Sequence, residues 1–394
     1  MRIVFVTSKL NFKSSGGSVE EIDLMLKTLQ RSGHTVAAVT VFSQINDITE
    51  KLPYPVYEER LFAKRLLPLQ AGVYSILKKY EREADVFHVD GHLMLYGAGA
   101  YRRFGGKVPV AAFFNRELGC FDPDLSDSFA KEPLLRFLKR KARGLIERSA
   151  GMWLANGMDL FTFISPMYKT TYEKFGLAKR QNSFIIGDPI DAPSLMKKNG
   201  ITETSYRERN KKEGKVILFF SSRMAPGKGF DFLLQGFSKV KNKDRFKLIL
   251  GGSGPEEAMI HHMVQDLKLQ DCVEFPGWVS KEKLYEFYKT ADVFIQAKWR
   301  MIGTSISLLY AMAFGLPSIL PRGSGLAWQA KESALYFTNG DAQGLAEAIE
   351  LLGNDWMKRA ELSANCYARL AEDEQNYIKQ IGKLEQEMCA LAAR

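Results

Sequence analysis

The run Ser221-Ser222-Arg223-Met224-Ala225-Pro226-Gly227-Lys228-Gly229 sets a guanidinium and an ammonium among glycines and a proline. Arginine offers a planar fork to two oxygens and lysine a compact point charge, a combination suited to a diphosphate. The GxxxxGK[ST] spacing of a Walker loop is absent. Two solvated basic side chains in a loop remain the plain alternative. Gly16-Gly17 ends the first apolar run and precedes a helical pattern, where glycine would let a ligand approach the backbone and free N–H groups could meet an anion. A tight turn that needs glycine explains the pair equally well. Gly251-Gly252-Ser253-Gly254-Pro255 is a turn by composition. Asp122-Pro-Asp124 has the form of a metal-binding DxD pair, but no strand ends there, and a turn is the favoured reading.

Lys131–Arg148, KEPLLRFLKRKARGLIER, carries seven basic and two acidic residues. Leu134, Leu135, Phe137, Leu138, Ala142, Leu145 and Ile146 give it an apolar face. Such a helix could lie on an anionic bilayer through Lys139, Arg140, Lys141 and Arg143. An ordinary surface helix, with its stripe on a sheet and its charges solvated, is the alternative.

These residues need elements to hold them. At 394 residues the chain suits two ordinary domains, and a composition 46% hydrophobic and 25% charged argues against disorder. Its net charge of +10 points to a polyanionic neighbour without choosing among nucleic acid, membrane and phosphorylated ligand. The four cysteines are scattered, which disfavours a structural zinc or a disulfide framework and suits a reducing cytoplasm. No run of about 18 apolar residues is present to span a bilayer. The opening MRIVFVTS lacks the long apolar core of a signal peptide.

Strand and helix signals alternate twice along the chain. In the first half, Arg2–Thr7, Thr35–Val41, Asp85–Val89, Val108–Phe114 and Ser183–Ile186 read as strands. A helix from about Val19 to Arg31 opens on a Ser18/Glu21 capping box and stops at Gly33. In the second half, strands are expected at Val216–Phe220, Phe246–Leu250, Val273–Phe275, Val293–Gln296 and Pro317–Leu320. Helices are expected near Asp231–Val240, Glu256–Leu267, Lys281–Thr290 and Ser305–Phe314, with a helical tail over 355–394. This implies two doubly wound parallel-sheet α/β domains, 1–186 and 215–374. Residues 187–214 are the connection, and a final helix at 375–394 packs back on the first domain. Ligands of such folds bind beyond the carboxyl ends of the strands, in a cleft that two such domains would share.

The segments GGSVEEIDLMLKTLQRSGHTV, ADVFHVDGH, SSRMAPGKGFDFLLQGF, LILGGSGPEE, VEFPGWVSKEKLYEFYKTADVFIQ and GTSISLLYAMAFGLPSIL, in this order, resemble the retaining GT-B glycosyltransferases of group 1. The resemblance covers nearly the whole chain. It implies that Arg223 and Lys228 hold the diphosphate of a nucleotide-sugar. It likewise implies that Gly16 and Gly17 face the donor and that Gly303, Thr304 and Ser305 add phosphate contacts. It further implies metal-independent transfer with retention, the positive side chains and a helix dipole replacing a cation, and no cofactor.

The chain departs from that family at three places. The paired glutamates of the E-x7-E motif are replaced by Ile302 and Tyr310, with the spacing kept. Where many members carry a histidine this chain has Asn115, followed by Arg116 and Glu117; asparagine can bond a sugar hydroxyl but is no acid or base near neutral pH. Two readings stay open. One is a transferase with a re-tuned donor site, in which Tyr310 meets the nucleoside and Arg116, Glu117 and Ile302 meet the sugar. The other is a degenerate module that binds or scaffolds. The expected partners are a nucleotide-diphosphate sugar, a glycan or lipid-linked acceptor in cell-surface polysaccharide or lipopolysaccharide synthesis, and an anionic membrane surface. Nucleic acid is disfavoured because no recognition motif accompanies the charge. A cytoplasmic protein, peripheral on the inner face of the membrane, is the matching location.

Overall fold

A computed structural model describes all residues except 14–17, 50, 63–65, 122–133, 210–213 and 298–302. The chain forms two compact units, the first holding Met1–Asp122, Glu132–Pro189 and Asn376–Arg394, the second Ile190–Gln375.

The first unit is built on seven strands: β1 Arg2–Thr7, β2 Thr35–Thr40, β3 Val56–Glu58, β4 Val86–Asp90, β5 Val110–Phe114, β6 Leu160–Phe163 and β7 Phe184–Ile185. Their order is β3-β2-β1-β4-β5-β6-β7 and every pairing is parallel. The central strands are continuous apolar runs because helices cover both faces. The helix Ser18–Arg31 turns Val19, Ile22, Met25, Leu26 and Leu29 inward, the face expected from their spacing. Its capping box does not form as expected. Ser18 lies within the helix, and Glu21 is buried at 4% exposure, its carboxyl engaged with Asp188. The helix Tyr377–Ala392 packs against Ser18–Arg31, with Glu385 Oε1 2.8 Å from His34 Nε2.

The second unit has six parallel strands: β8 Val216–Ser221, β9 Phe246–Gly251, β10 Val273–Glu274, β11 Val293–Ile295, β12 Ser318–Pro321 and β13 Ala334–Phe337. They run in the order β10-β9-β8-β11-β12-β13. Residues 190–209 are not a plain connection. They form the helices Ala192–Asn199 and Ser205–Arg209, and Ile190, Ala192 and Tyr206 enter the core of this unit. The Tyr206 hydroxyl donates to the Asp292 carbonyl at 2.7 Å, which ties the segment to the start of β11.

In each sheet the chain reverses its direction of travel once, between β1 and β4 and between β8 and β11. Parallel strands put all their carboxyl ends on one edge, and the crevice at the reversal is where such sheets bind ligands.

The basic segment forms the helix Leu134–Ile146, followed by one π-helical turn, Glu147–Gly151. None of its residues is buried; Leu134, Leu138, Leu145 and Ile146 are 71%, 53%, 73% and 67% exposed. The alternative of a stripe packed on the sheet is therefore excluded. The helix is moored at its end by Glu147, which is buried and accepts from Arg143 Nε at 2.6 Å and from the Cys120 thiol at 2.7 Å. Among the described residues no helix is long and apolar enough to cross a membrane.

Candidate functional site

In the second unit the loop 222–229 leaves the carboxyl end of β8 and enters the helix Phe230–Ser238. Gly227 and Gly229 hold φ of +77° and +82°, a turn that side chains resist, so the sequence must place glycine there. The loop is braced by its neighbour after β9. Ser222 N–H donates to Gly251 O at 3.1 Å, Met224 N–H to Ser253 O at 2.9 Å, and Glu256 N–H to Met224 O at 3.1 Å. The two loops approach so closely that a Cβ on Gly252 would stand 1.9 Å from Ser222 O, and one on Gly254 2.3 Å from Met224 O. The glycine run is therefore the platform of the basic loop, a role its composition did not disclose. Arg223 is exposed on that platform, with no ion pair or side-chain hydrogen bond among the described residues, and Lys228 is half-buried.

Across the reversal point, Gly303 is buried and Ser305 caps the helix Ile306–Ala313, its Oγ accepting from Leu308 N–H at 3.4 Å. Ser305 N–H is itself held by Gln329 Oε1 at 2.8 Å, and Gln329 is fully buried. A helix N-terminus and the loop bearing Arg223 and Lys228 thus follow adjacent strands, β11 and β8. Free N–H groups, the positive end of the helix dipole and two cations are the chemistry that binds a diphosphate.

Tyr310 lies one turn further along the same helix. Its ring meets Tyr285 edge-on at 5.9 Å, and Lys281 Nζ stands 6.0 Å from its centroid. It packs on the helix Lys281–Thr290 rather than at the helix start. Trp278 follows the carboxyl end of β10 and is 70% exposed; Gly277, at φ +73°, accepts from Gly252 N–H at 2.7 Å. Sequence reasoning passed over Trp278 and Gln329. A tryptophan beside glycine after a strand was the available signal for the first. Only the fold pairs Gln329 with Ser305.

The first unit carries a second polar constellation on its own carboxyl edge. Asn115 follows β5, and Arg116 is exposed, with Nη2 3.4 Å from Ser18 Oγ. Glu117 is half-buried. Around Asn115 the fold gathers residues that sequence reasoning did not select. The Glu21 and Asp188 carboxyls, each 4% exposed, meet at hydrogen-bonding range. Burial first, then Asp188, hold Glu21 well above the usual carboxylate range, opposed by Asn115 and Arg116. Burial pushes His92 down to about 3, so its ring is neutral. Asp90, at the end of β4, accepts from Thr7 Oγ1 at 2.9 Å and Ser8 N–H at 3.2 Å; burial raises its pKa.

Gly16, Gly17, Ile302 and the pair Asp122 and Asp124 lie outside the described residues. Of the basic residues assigned to a membrane, Lys139 and Lys141 are exposed and Arg140 half-exposed, the last two with their charges 5.5 and 5.4 Å from the Phe137 ring. Arg143 departs from that role, its guanidinium being committed to Glu147.

Residues 202–369 match the family described as Glycosyl transferases group 1. Mannosylfructose-phosphate synthase of Agrobacterium fabrum is 31% identical over 164 residues, 39% of this chain and 35% of that protein, so the match spans about a third of that relative. Alpha-monoglucosyldiacylglycerol synthase of Streptococcus pneumoniae is 25% identical over 95% of this chain and 83% of its own length. The structure of Anabaena Alr3699/HepE in complex with UDP-glucose superposes with a TM-score of 0.70 at 17% identity, covering 99% of this chain and 100% of that one.

Proposed function

We propose, for a chain that belongs to the group 1 glycosyl transferases and has the GT-B fold, that it transfers a sugar from a nucleotide-diphosphate sugar to a glycan or lipid acceptor. The observation that carries this is the reversal point of the second unit. Arg223 and Lys228 stand there on a glycine-braced loop, next to the helix end capped by Ser305. In this reading the two cations and the helix N-terminus hold the diphosphate and stabilise it as it leaves, in place of a metal, and no cofactor takes part. Transfer proceeds with retention, the departing phosphate taking the acceptor's proton. Trp278 offers an exposed ring to a base, as aromatic faces commonly do.

A lipid or envelope-glycan acceptor follows from the helix Leu134–Ile146. Its apolar side chains are in water and its neighbours are Lys139, Arg140 and Lys141, an arrangement that an anionic bilayer surface satisfies. Alpha-monoglucosyldiacylglycerol synthase is named for a lipid product, which agrees. The protein would then work at the inner face of a membrane.

Calorimetry with UDP, GDP and ADP tests the phosphate site. One of them should bind, and Lys228→Ala should weaken it by roughly 1.5–3 kcal/mol, the worth of a charge-assisted hydrogen bond. The empty variant should melt as the parent does. A parent that binds no nucleoside diphosphate would turn the assignment to the degenerate module, whose phosphate loop survives only as structure.

A further inference from the structure

The first four N–H groups of a helix lack acceptors within it. At the start of Ile306–Ala313 the fold supplies two of them. The Ser305 N–H donates to Gln329 Oε1 at 2.8 Å, and the Leu308 N–H to Ser305 Oγ at 3.4 Å. The N–H groups of Ile306 and Ser307, both residues half-buried, have no protein acceptor among the described residues. Gln329 reaches Ser305 from the helix Gly325–Ala330, and it is fully buried. Its backbone is clamped as well. Arg369 donates to the Gln329 carbonyl through Nε at 2.8 Å and to the Trp328 carbonyl through Nη2 at 3.0 Å. A guanidinium on the last carbonyls of a helix suits its dipole. Arg369, 2% exposed, is paired with Glu372 and Glu374 at 2.5 and 3.0 Å, and Lys331 meets the same two carboxylates at 2.8 and 2.9 Å. A clamped backbone and a buried side chain fix where the Gln329 oxygen stands.

The charge of that acceptor decides what the helix end can do. A carboxylate would take the same N–H more strongly, but its charge would face the positive end of the helix and repel an incoming anion. A leucine would fill the space and leave the Ser305 N–H unpaired. The carboxamide holds the cap and leaves the helix end positive.

We propose that Gln329 is a positioning residue of the phosphate site. It fixes Ser305 so that the Ile306 and Ser307 N–H groups are presented to the diphosphate, and its neutrality keeps the helix end open to an anion. Arg369 holds Gln329 in turn. The inference rests on the transferase reading for its ligand.

The test uses the full chain, with urea unfolding and with calorimetry against UDP, GDP, ADP and inorganic pyrophosphate. Gln329→Glu keeps an acceptor of the same reach, so it should unfold near the parental midpoint. It should nevertheless bind the nucleoside diphosphate about tenfold more weakly, and pyrophosphate more weakly by the same factor. Gln329→Leu should lose both stability and affinity. A packing role predicts that the two quantities move together in both variants, so parental affinity in Gln329→Glu, or a loss matched by its stability, overturns the inference. A measurement on the parent needs no variant to fold. Single-residue hydrogen exchange should find Ser305 protected with or without nucleotide, and Ile306 and Ser307 protected only with it. A Ser305 that exchanges as freely as its neighbours in the empty protein overturns the cap. Unchanged exchange at Ile306 and Ser307 on binding overturns their presentation to the diphosphate. A parent that binds neither nucleoside diphosphate nor pyrophosphate is a separate failure: the transferase reading falls, and Gln329 is then a structural amide.

Discussion

Replacing Gly252 by alanine tests the platform beneath the phosphate loop. Its φ of +125° is foreign to an L side chain, and the new Cβ would sit 1.9 Å from Ser222 O, where contacts below 3.0 Å are not tolerated. The obstacle is backbone, so no rotamer change relieves it. Either the glycine loop twists back or the strand end carrying Ser222 retreats by about 1 Å, and Arg223 is the next residue. Backbone strain of about 1–3 kcal/mol and overpacking of about 1–3 kcal/mol give a loss of about 2–6 kcal/mol if nothing moves. If the loop yields instead, stability is spared and binding suffers, a 1 Å misplacement being worth up to about a hundredfold. Gly33→Ala is the control, because Gly33 has φ +90° and nothing within 4 Å of its missing Cβ. It should show strain alone and keep nucleotide affinity. Urea unfolding and nucleoside-diphosphate calorimetry on both variants read the two quantities. A Gly252→Ala protein as stable as Gly33→Ala, with parental affinity, would refute the claim that this glycine holds the clamp loop in place.

Three further outcomes are expected. The triple change Lys139→Gln, Arg140→Gln, Lys141→Gln should cut recovery on anionic vesicles by about a hundredfold at roughly 1 kcal/mol per charge, and binding to neutral vesicles at an equal level would rule the membrane role out. Burial and Asp188 raise the Glu21 pKa in the folded protein, so stability should fall as pH rises above about 4.3, by up to about 1.4 kcal/mol per unit, until the folded pair ionises. Glu21→Gln removes this uptake. Its stability relative to the parent should therefore rise as pH rises from about 5, and urea midpoints that run parallel for the two proteins would contradict a raised Glu21 pKa. Tyr310→Ala should lower affinity for the nucleotide that binds while sparing inorganic pyrophosphate, whereas equal losses for both would mean that only the helix had been disturbed.

The fold was legible because central parallel strands are apolar runs and amphipathic helices repeat at 3.6 residues. Val19, Ile22, Met25, Leu26 and Leu29 face inward as their spacing requires. The strands β3, β6 and β13 escaped because three or four residues carry no period, and Leu160–Phe163, buried throughout, does not alternate. Residues 190–209 misled through composition. Their Gly, Pro and charge read as a connection, while Tyr206 alone supplies a buried ring and a hydrogen bond to Asp292. The exposed apolar face of Leu134–Ile146 was visible as a face, but no pattern tells whether a face is covered.

The two candidate sites differed in legibility for a reason that lies in the side chains. Arg223 and Lys228 are marked by neighbouring glycines, since a loop that must bend at positive φ announces itself locally. Glu21 had a local explanation too, the capping box, and local hydrogen bonding is a strong prior at a helix start. The fold overrides it by delivering Asp188, 167 residues later, to the same carboxyl edge, because β7 ends there as β1, β4 and β5 do. A carboxyl that leaves its own backbone N–H for another carboxyl gives up a cap worth up to about 2 kcal/mol. His92 belongs to the same displacement, set just past the end of β4 with no sequence neighbour that names it, whereas Asn115 was singled out through the resemblance alone. Tyr310 shows the reverse case. Its place in a familiar spacing put it in the first turns of the helix, and a residue five positions past the cap lies about 7.5 Å along the axis and about 140° around it from Ser305. The ring consequently meets Tyr285 and Lys281; under the proposed function it would touch what extends from the diphosphate rather than the phosphates themselves.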